Sequence, residues 1–137
     1  MYRIQAGGVS EDMAKFLLRV SLAILILFHG VSKILGGIGP ITGMVAKMGM
    51  PPALGYLVFI GEVLAPVLVL VGAWTRPAAF VIAVNMLVAV LLAHTTQFFT
   101  LSKTGGWALE LQGMYFIVAI AVMLLGGGRF GVGGKWN

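Results

Sequence analysis

Residues 54–73, LGYLVFIGEVLAPVLVLVGA, decide the fold. A helix rises 1.5 Å per residue, so a helix of this length spans about 30 Å, the thickness of a bilayer's hydrocarbon core. The only charged side chain in the stretch is Glu62, which falls within two residues of its centre. Pro66 follows four residues later and has no N–H, so the helical bond that it would donate to the Glu62 carbonyl cannot form. The stretch therefore predicts a membrane span with a polar point at its centre.

The whole chain has the composition of an integral membrane protein. Of its 137 residues, 60% are hydrophobic and 9% are charged, whereas a soluble domain averages about 25% charged residues. The net charge of +5 comes from basic residues scattered at the ends of apolar runs, which fits membrane flanks and argues against nucleic-acid binding. The absence of cysteine excludes thiolate catalysis, disulfide exchange and Fe–S ligation by this chain alone. No cleavable signal peptide is evident, so we expect the first apolar run to remain as an anchor.

We predict an all-α fold, a single-domain antiparallel four-helix membrane bundle over residues 1–137. The predicted spans are 16–35, 54–73, 77–96 and 107–126. In the first connection, Ile41, Met44, Val45 and Met48 recur at helical spacing, which predicts a short interfacial helix. Four spans place both termini on one side, which holds six Lys and Arg residues against three on the other. This bias predicts cytoplasmic termini.

Polar side chains cluster toward the outer half of the predicted bundle. His29, Lys33, His94 and Glu110 lie there, and Glu62 lies at the centre. Because polar groups in lipid pair with one another or line a wet cavity, we expect an outward-open pocket with His29 near Glu62 and Lys33 near Glu110. Histidine titrates near neutrality and can exchange protons with a carboxylate. Glu62 and His29 are therefore the candidate catalytic residues, for proton handling.

The candidate ligand-binding residues surround that pair or lie at the ends of the spans: Lys33, His94, Glu110, Trp107 and Arg19. We expect no metal site, because no HxxxH or ExxH spacing occurs. A proton-transfer site and a binding site for a polar headgroup, such as that of a quinone, both fit these residue types.

A structural role is the alternative at each position. Glu62 could pair with His29 or Lys33 only to hold the bundle together, and Lys33 could instead extend outward to the interface. Arg19 could anchor the topology, and Trp107 is typical of an interfacial aromatic belt. Asn85, near the centre of the third span, is more typical of packing between helices. The remaining polar positions could be wetted helix ends.

Several short segments, taken in order, resemble the DoxX family of small four-span membrane proteins. They are LLRVSLAILILFHGVSKI at 17–34, GEVLAPVLVLVGAWTRPAA at 61–79, His94, Gly-Gly-Trp at 105–107 with Glu110 behind it, and Gly-Gly-Arg-Phe at 127–130. The resemblance covers residues 15–130. The family's polar positions match Arg19, His29, Lys33, Glu62, His94 and Glu110.

The resemblance implies a multi-pass protein of a prokaryotic inner membrane, associated with oxidoreductase systems such as quinone-linked sulfur oxidation. We therefore expect a membrane component of a quinone-linked oxidoreductase, with a quinone or another small molecule in the polar pocket. No intrinsic cofactor is expected, so electrons would come from a soluble or membrane redox partner. The lipid bilayer and a second copy of the chain are the other expected partners. Two alternatives stay open: a non-catalytic membrane anchor or assembly subunit, and a carrier of small molecules, protons or lipid.

Overall fold

A computed structural model describes residues 8–93, 99–101, 103, 105–134 and 136–137. Within these residues the secondary structure is helical apart from one β-bridge between Leu101 and Trp107, so the predicted all-α class is confirmed. The described helices are four α-helices and one helix of mixed type. They are α1 (Gly8–Gly36), α2 (Gly39–Lys47), α4 (Thr75–Ala93) and α5 (Glu110–Leu125), and α3 (Ala65–Val71) is the α-helical end of the mixed helix.

The mixed helix, Pro52–Val71, covers residues 54–71 of the span predicted over 54–73. It begins as a 3₁₀-helix (Pro52–Leu57), passes through a π-helical turn (Ile60–Leu64) and ends as α3. In the π-turn, the N–H of Ala65 donates to the carbonyl of Ile60, five residues back. Since Pro66 cannot donate the next bond, the helix changes register here, and Glu62 lies in the widened turn.

Two helices, Gly8–Gly36 and Pro52–Val71, are long and apolar enough to cross a membrane. Two shorter apolar helices, Thr75–Leu91 and Glu110–Leu125, accompany them. Large apolar side chains point outward from all four, for example Phe28, Leu64, Phe80 and Ile117. Such an apolar exterior is typical of proteins that contact lipid.

The core lies where α1, α3, α4 and α5 meet, and much of it is alanine. Ala23, Ala79 and Ala119 are fully buried together with Ile26 and Ile82. Small side chains let helix backbones approach closely, so van der Waals contact between the helices stabilises the bundle. Helix α2 lies in the first connection, where the sequence predicted a short helix, and packs on the Pro52–Leu57 turn.

The residues after α5 fold back over one end of the bundle. The N–H groups of Val132 and Gly133 donate to the carbonyls of Val71 and Gly72 at the end of α3. Gly72 has φ 76°, a left-handed conformation that ends α3 and that glycine adopts without strain. The tail thereby satisfies carbonyls that the end of a helix leaves without donors.

Candidate functional site

Glu62 is the centre of a buried polar cluster drawn from three helices. Its side chain accepts a hydrogen bond from Lys33 on α1, with 2.5 Å between Nζ and Oε1. Its second oxygen, Oε2, accepts a bond of 2.9 Å from Nδ2 of Asn85 on α4. Glu62 is only 4% exposed, and a buried carboxylate is stable only when it is paired and hydrogen-bonded. The Lys33–Glu62–Asn85 cluster meets that requirement.

Two glycines allow the three helices to come this close. A Cβ at Gly30 of α1 would collide with the backbone carbonyl of Glu62, so only glycine fits there. A Cβ at Gly61 would lie 2.6 Å from the Cβ of Asn85, so glycine is needed there too. The sequence thus brings the backbone of Glu62 against α1 and the side chain of Asn85 against the π-turn.

A cavity of about 360 Å³ opens beside this cluster, and we call it the polar cavity. The polar groups on its walls are the three cluster residues with His29, Gln112 and Tyr115. Apolar side chains from α2, the mixed helix, α4 and α5 complete it: Ile41, Met44, Val58, Met86, Val88, Ala89 and Leu111. Ligand sites in proteins occupy roughly 300–1,000 Å³ and combine apolar walls with a few convergent polar groups, as this cavity does.

The cavity presents more hydrogen-bond donors than acceptors. Both oxygens of Glu62 are bonded, whereas Lys33 has three N–H groups and uses one of them on Glu62. His29 packs edge-on against Tyr115, with 5.9 Å between the ring centroids, and both rings line the cavity. This arrangement suits a small molecule whose polar end carries carbonyl or hydroxyl oxygens.

Three of the predicted site residues, Glu62, Lys33 and His29, meet at the polar cavity. The predicted pairing within the set was wrong: Lys33 bonds to Glu62, not to Glu110. Glu110 is exposed and begins α5, and its carboxylate lies against the backbone of Gly106. A carboxylate in a first turn is stabilised by the helix dipole without a cationic partner.

Arg19 lies far from the cavity, in the first half of α1. Ten residues separate it from His29, which is about 15 Å along a helix. Its guanidinium donates to four backbone carbonyls: those of Val69 and Leu70 at the end of α3, and those of Gly127 and Phe130 after α5. Arg19 is 1% exposed, so these bonds replace water completely. Its position fits a role in anchoring the fold better than a role in ligand binding.

Trp107 and His94 complete the predicted set. Trp107 does not line the polar cavity but lines a second, mostly apolar one of about 190 Å³. His94 lies outside the residues that the structure describes, so its role stays a prediction.

Three polar residues of the polar cavity were not among the predicted site residues: Asn85, Gln112 and Tyr115. Asn85 was recognised as polar at mid-span but assigned to packing, and its bond to Glu62 does join two helices. Gln112 and Tyr115 lie three residues apart, which is the spacing of one helix face, and that spacing was the available signal. The prediction selected Glu110 from this helix because it is charged, and it left out these two neutral side chains.

Comparison with known proteins adds a family and one relative. The DoxX family model matches residues 14–95, which include Lys33, Glu62 and Asn85 and end before α5. A protein of Haemophilus influenzae, described as an uncharacterized protein, is 30% identical over 106 residues, which cover 73% of this chain and 78% of that protein. No solved structure matches the chain.

Proposed function

This chain belongs to the DoxX family, and from that premise we propose that it is a multi-pass protein of the inner membrane. It binds the polar head of a quinone-like molecule in the polar cavity and acts as the membrane component of a quinone-linked oxidoreductase system. One observation carries the proposal. A cavity large enough for an aromatic ring lies beside a charged cluster that is buried among apolar helices. Ionisable groups within membrane spans are costly, and where they occur they mark ligand or proton sites.

The contacts at the ends of the helices support a four-helix antiparallel bundle. Arg19, in the first half of α1, reaches the end of α3 and the segment after α5. Arg76, at the start of α4, donates to the carbonyls of Met123 and Leu124 at the end of α5. The starts of α1 and α4 thus lie with the ends of α3 and α5, as they do when four spans alternate in direction.

The cluster's charge suits a neutral ligand. Lys33 and Glu62 cancel one another, so the cavity carries no net charge from this pair and does not demand a counter-ion. Quinone carbonyls need donors, and the N–H groups of Lys33 that Glu62 does not use, with the side chains of Gln112 and Tyr115, supply them.

His29 and Glu62 supply the proton chemistry. Reduction of a quinone takes up protons as well as electrons, and the imidazole of His29 on the cavity wall has nitrogens that can accept and donate a proton. His29 is exposed at the surface of α1, whereas Glu62 is buried behind it. Protons would therefore pass from His29 to the cluster, and the electrons would come from a partner protein.

Quinone binding by site variants tests the proposal. We expect the protein in lipid nanodiscs to bind decylubiquinone, and Glu62→Gln and Lys33→Gln to weaken binding by about tenfold or more, because each removes one charge from a buried hydrogen-bonded pair. Glu11→Gln and Lys103→Gln are matched controls, since both side chains are exposed and neither lines the cavity. Their affinity should equal that of the wild type. Normal binding by both cluster variants would refute the site.

A non-catalytic membrane anchor or assembly subunit is the second candidate, and one observation favours it. Both oxygens of Glu62 are already bonded to protein donors, as in a purely structural cluster. That role predicts no quinone binding by the wild type and co-purification with a redox partner. It also predicts that Glu62→Gln lowers the melting temperature and loses the partner together.

A further inference from the structure

The second cavity, which we call the apolar cavity, has a lining that suits hydrocarbon. It encloses about 190 Å³, and seven of its eight wall residues are apolar or aromatic or are glycine. They come from α4, from the turn before α5 and from α5: Met86, Leu87, Val90, Trp107, Leu109, Gln112, Gly113 and Phe116. An apolar cavity of this kind stays dry and binds apolar groups.

The two cavities lie side by side in the seam between α4 and α5. Both are lined by the same turns of these helices, and Met86 and Gln112 line both. These two residues therefore form the partition. Each has an unbranched, flexible side chain, and methionine in particular repacks easily around a ligand.

The apolar cavity also reaches the outer surface of the bundle. Leu87 is 48% exposed and Trp107 is 40% exposed, although both line it. A chain that passes through the apolar cavity would therefore emerge among the apolar side chains that face outward. In a membrane, that exit leads into lipid.

From this arrangement we infer that the ligand is amphipathic, with its polar head at Lys33, Glu62 and Asn85 and a hydrocarbon tail that passes Met86 and Gln112 into the apolar cavity. The inference rests on the proposed function and names the ligand class more narrowly. Tail burial there adds affinity through van der Waals contact between the hydrocarbon and the closely packed cavity walls, as between helices in lipid.

Two probes with the same ring separate head binding from tail binding. One is the ubiquinone ring without a tail, and the other is decylubiquinone. With each probe's concentration expressed per volume of lipid, we expect the wild type in nanodiscs to bind decylubiquinone about tenfold or more tightly than the tail-free ring. In Leu87→Trp the added ring fills the apolar cavity, so the ratio of the two affinities should fall toward one. Each variant is measured in nanodiscs of the same composition, so the partitioning of the two probes into lipid affects every ratio equally.

Leu91→Trp is the matched control, because Leu91 lies one turn further along α4, is 50% exposed and lines neither cavity. It should keep the wild-type ratio. Gly113→Val gives an independent block if Leu87→Trp does not fold, since a Cβ at Gly113 would lie 3.0 Å from the Trp107 ring.

The outcomes of these binding measurements distinguish the tail site from the proposed function on which it rests. Equal affinities for the two probes in the wild type, or an unchanged ratio in a folded blocking variant, would overturn the tail site and leave the head site standing. Loss of both probes in Glu62→Gln, with a normal preference for the tail in the wild type, supports both. A wild type that binds neither probe would overturn the proposed function and the tail site together.

Discussion

Gly30 determines how closely α1 approaches Glu62. A Cβ there would collide with the Glu62 carbonyl and lie 2.8 Å from the side chain of Val63. Helix propensity alone predicts that Gly30→Ala stabilises the protein by about 1 kcal/mol. Overpacking costs about 1–3 kcal/mol, so we expect the steric term to prevail and the unfolding free energy to fall. Unfolding by titration with sodium dodecyl sulfate, followed by circular dichroism, measures it.

Gly43→Ala is the control for Gly30→Ala. Gly43 lies within α2, and a Cβ there would meet nothing within 4 Å. This variant should match or slightly exceed the wild type in stability. If Gly30→Ala behaved in the same way, the close approach of α1 to Glu62 would not contribute to the fold.

At this scale the sequence predicted the residues of the polar cluster better than its pairs. Glu62 was identified because a carboxylate at mid-span is rare, and Lys33 and His29 because they share the outer half of α1. The prediction that Lys33 lies near Glu110 assumed that Glu110 lies inside the fourth membrane span. Its depth in the membrane depends on the residue at which α5 begins. The structure starts α5 at Glu110 itself, later than the predicted span, which leaves this carboxylate exposed.

Arg19 joins helices rather than binding in the cavity. Its guanidinium bonds to carbonyls at the end of α3 and in the segment after α5, with distances of 2.8 to 3.1 Å. Lysine keeps the charge but lacks the planar fork that reaches several acceptors at once. We expect Arg19→Lys to lower the unfolding free energy on the order of 3 kcal/mol, because buried carbonyls lose charged donors. Detergent-based unfolding measures this loss.

Arg129→Lys is the control, since Arg129 forms an exposed ion pair with Asp12 at 3.3 Å and its side chain is 62% exposed. Such pairs contribute about 0–1 kcal/mol, so stability should barely change. Decylubiquinone affinity should survive in folded Arg19→Lys. If Arg19→Lys kept normal stability but no longer bound decylubiquinone, Arg19 would belong to the ligand site.

The helix containing Glu62 shows what pattern can and cannot predict about an element. Its length and apolarity predicted a helix, and Pro66 predicted a missing bond inside it. The response to the missing bond was not predictable, because a π-turn, a kink and a 3₁₀ segment all accommodate a proline. Contacts from Gly30 and Asn85 accompany the π-turn here, and such contacts between distant parts of the chain are not visible in local sequence.

For the molecule as a whole, the basic residues predict the orientation in the membrane. Arg19, Arg76 and Arg129 all lie at the end where α1 and α4 begin. Basic residues are retained on the cytoplasmic side, so the polar cavity, toward the other end of α1, should open toward the exterior. The side matters for function, because it determines which compartment supplies protons to His29.

Cysteine labelling tests this orientation cleanly, because the chain has no cysteine of its own. Lys47 ends α2 near the polar cavity, and Val132, which is 76% exposed, lies in the tail beyond α5. Each is replaced by cysteine in a separate variant, Lys47→Cys and Val132→Cys. We expect a membrane-impermeant maleimide to label Lys47→Cys in intact cells and to label Val132→Cys only after permeabilisation. The cysteine-free wild type controls for background. The reverse pattern would invert the protein and give His29 cytoplasmic protons. Labelling of both positions from outside would refute the three spans predicted between Lys47 and Val132, because an odd number of spans places these residues on opposite sides.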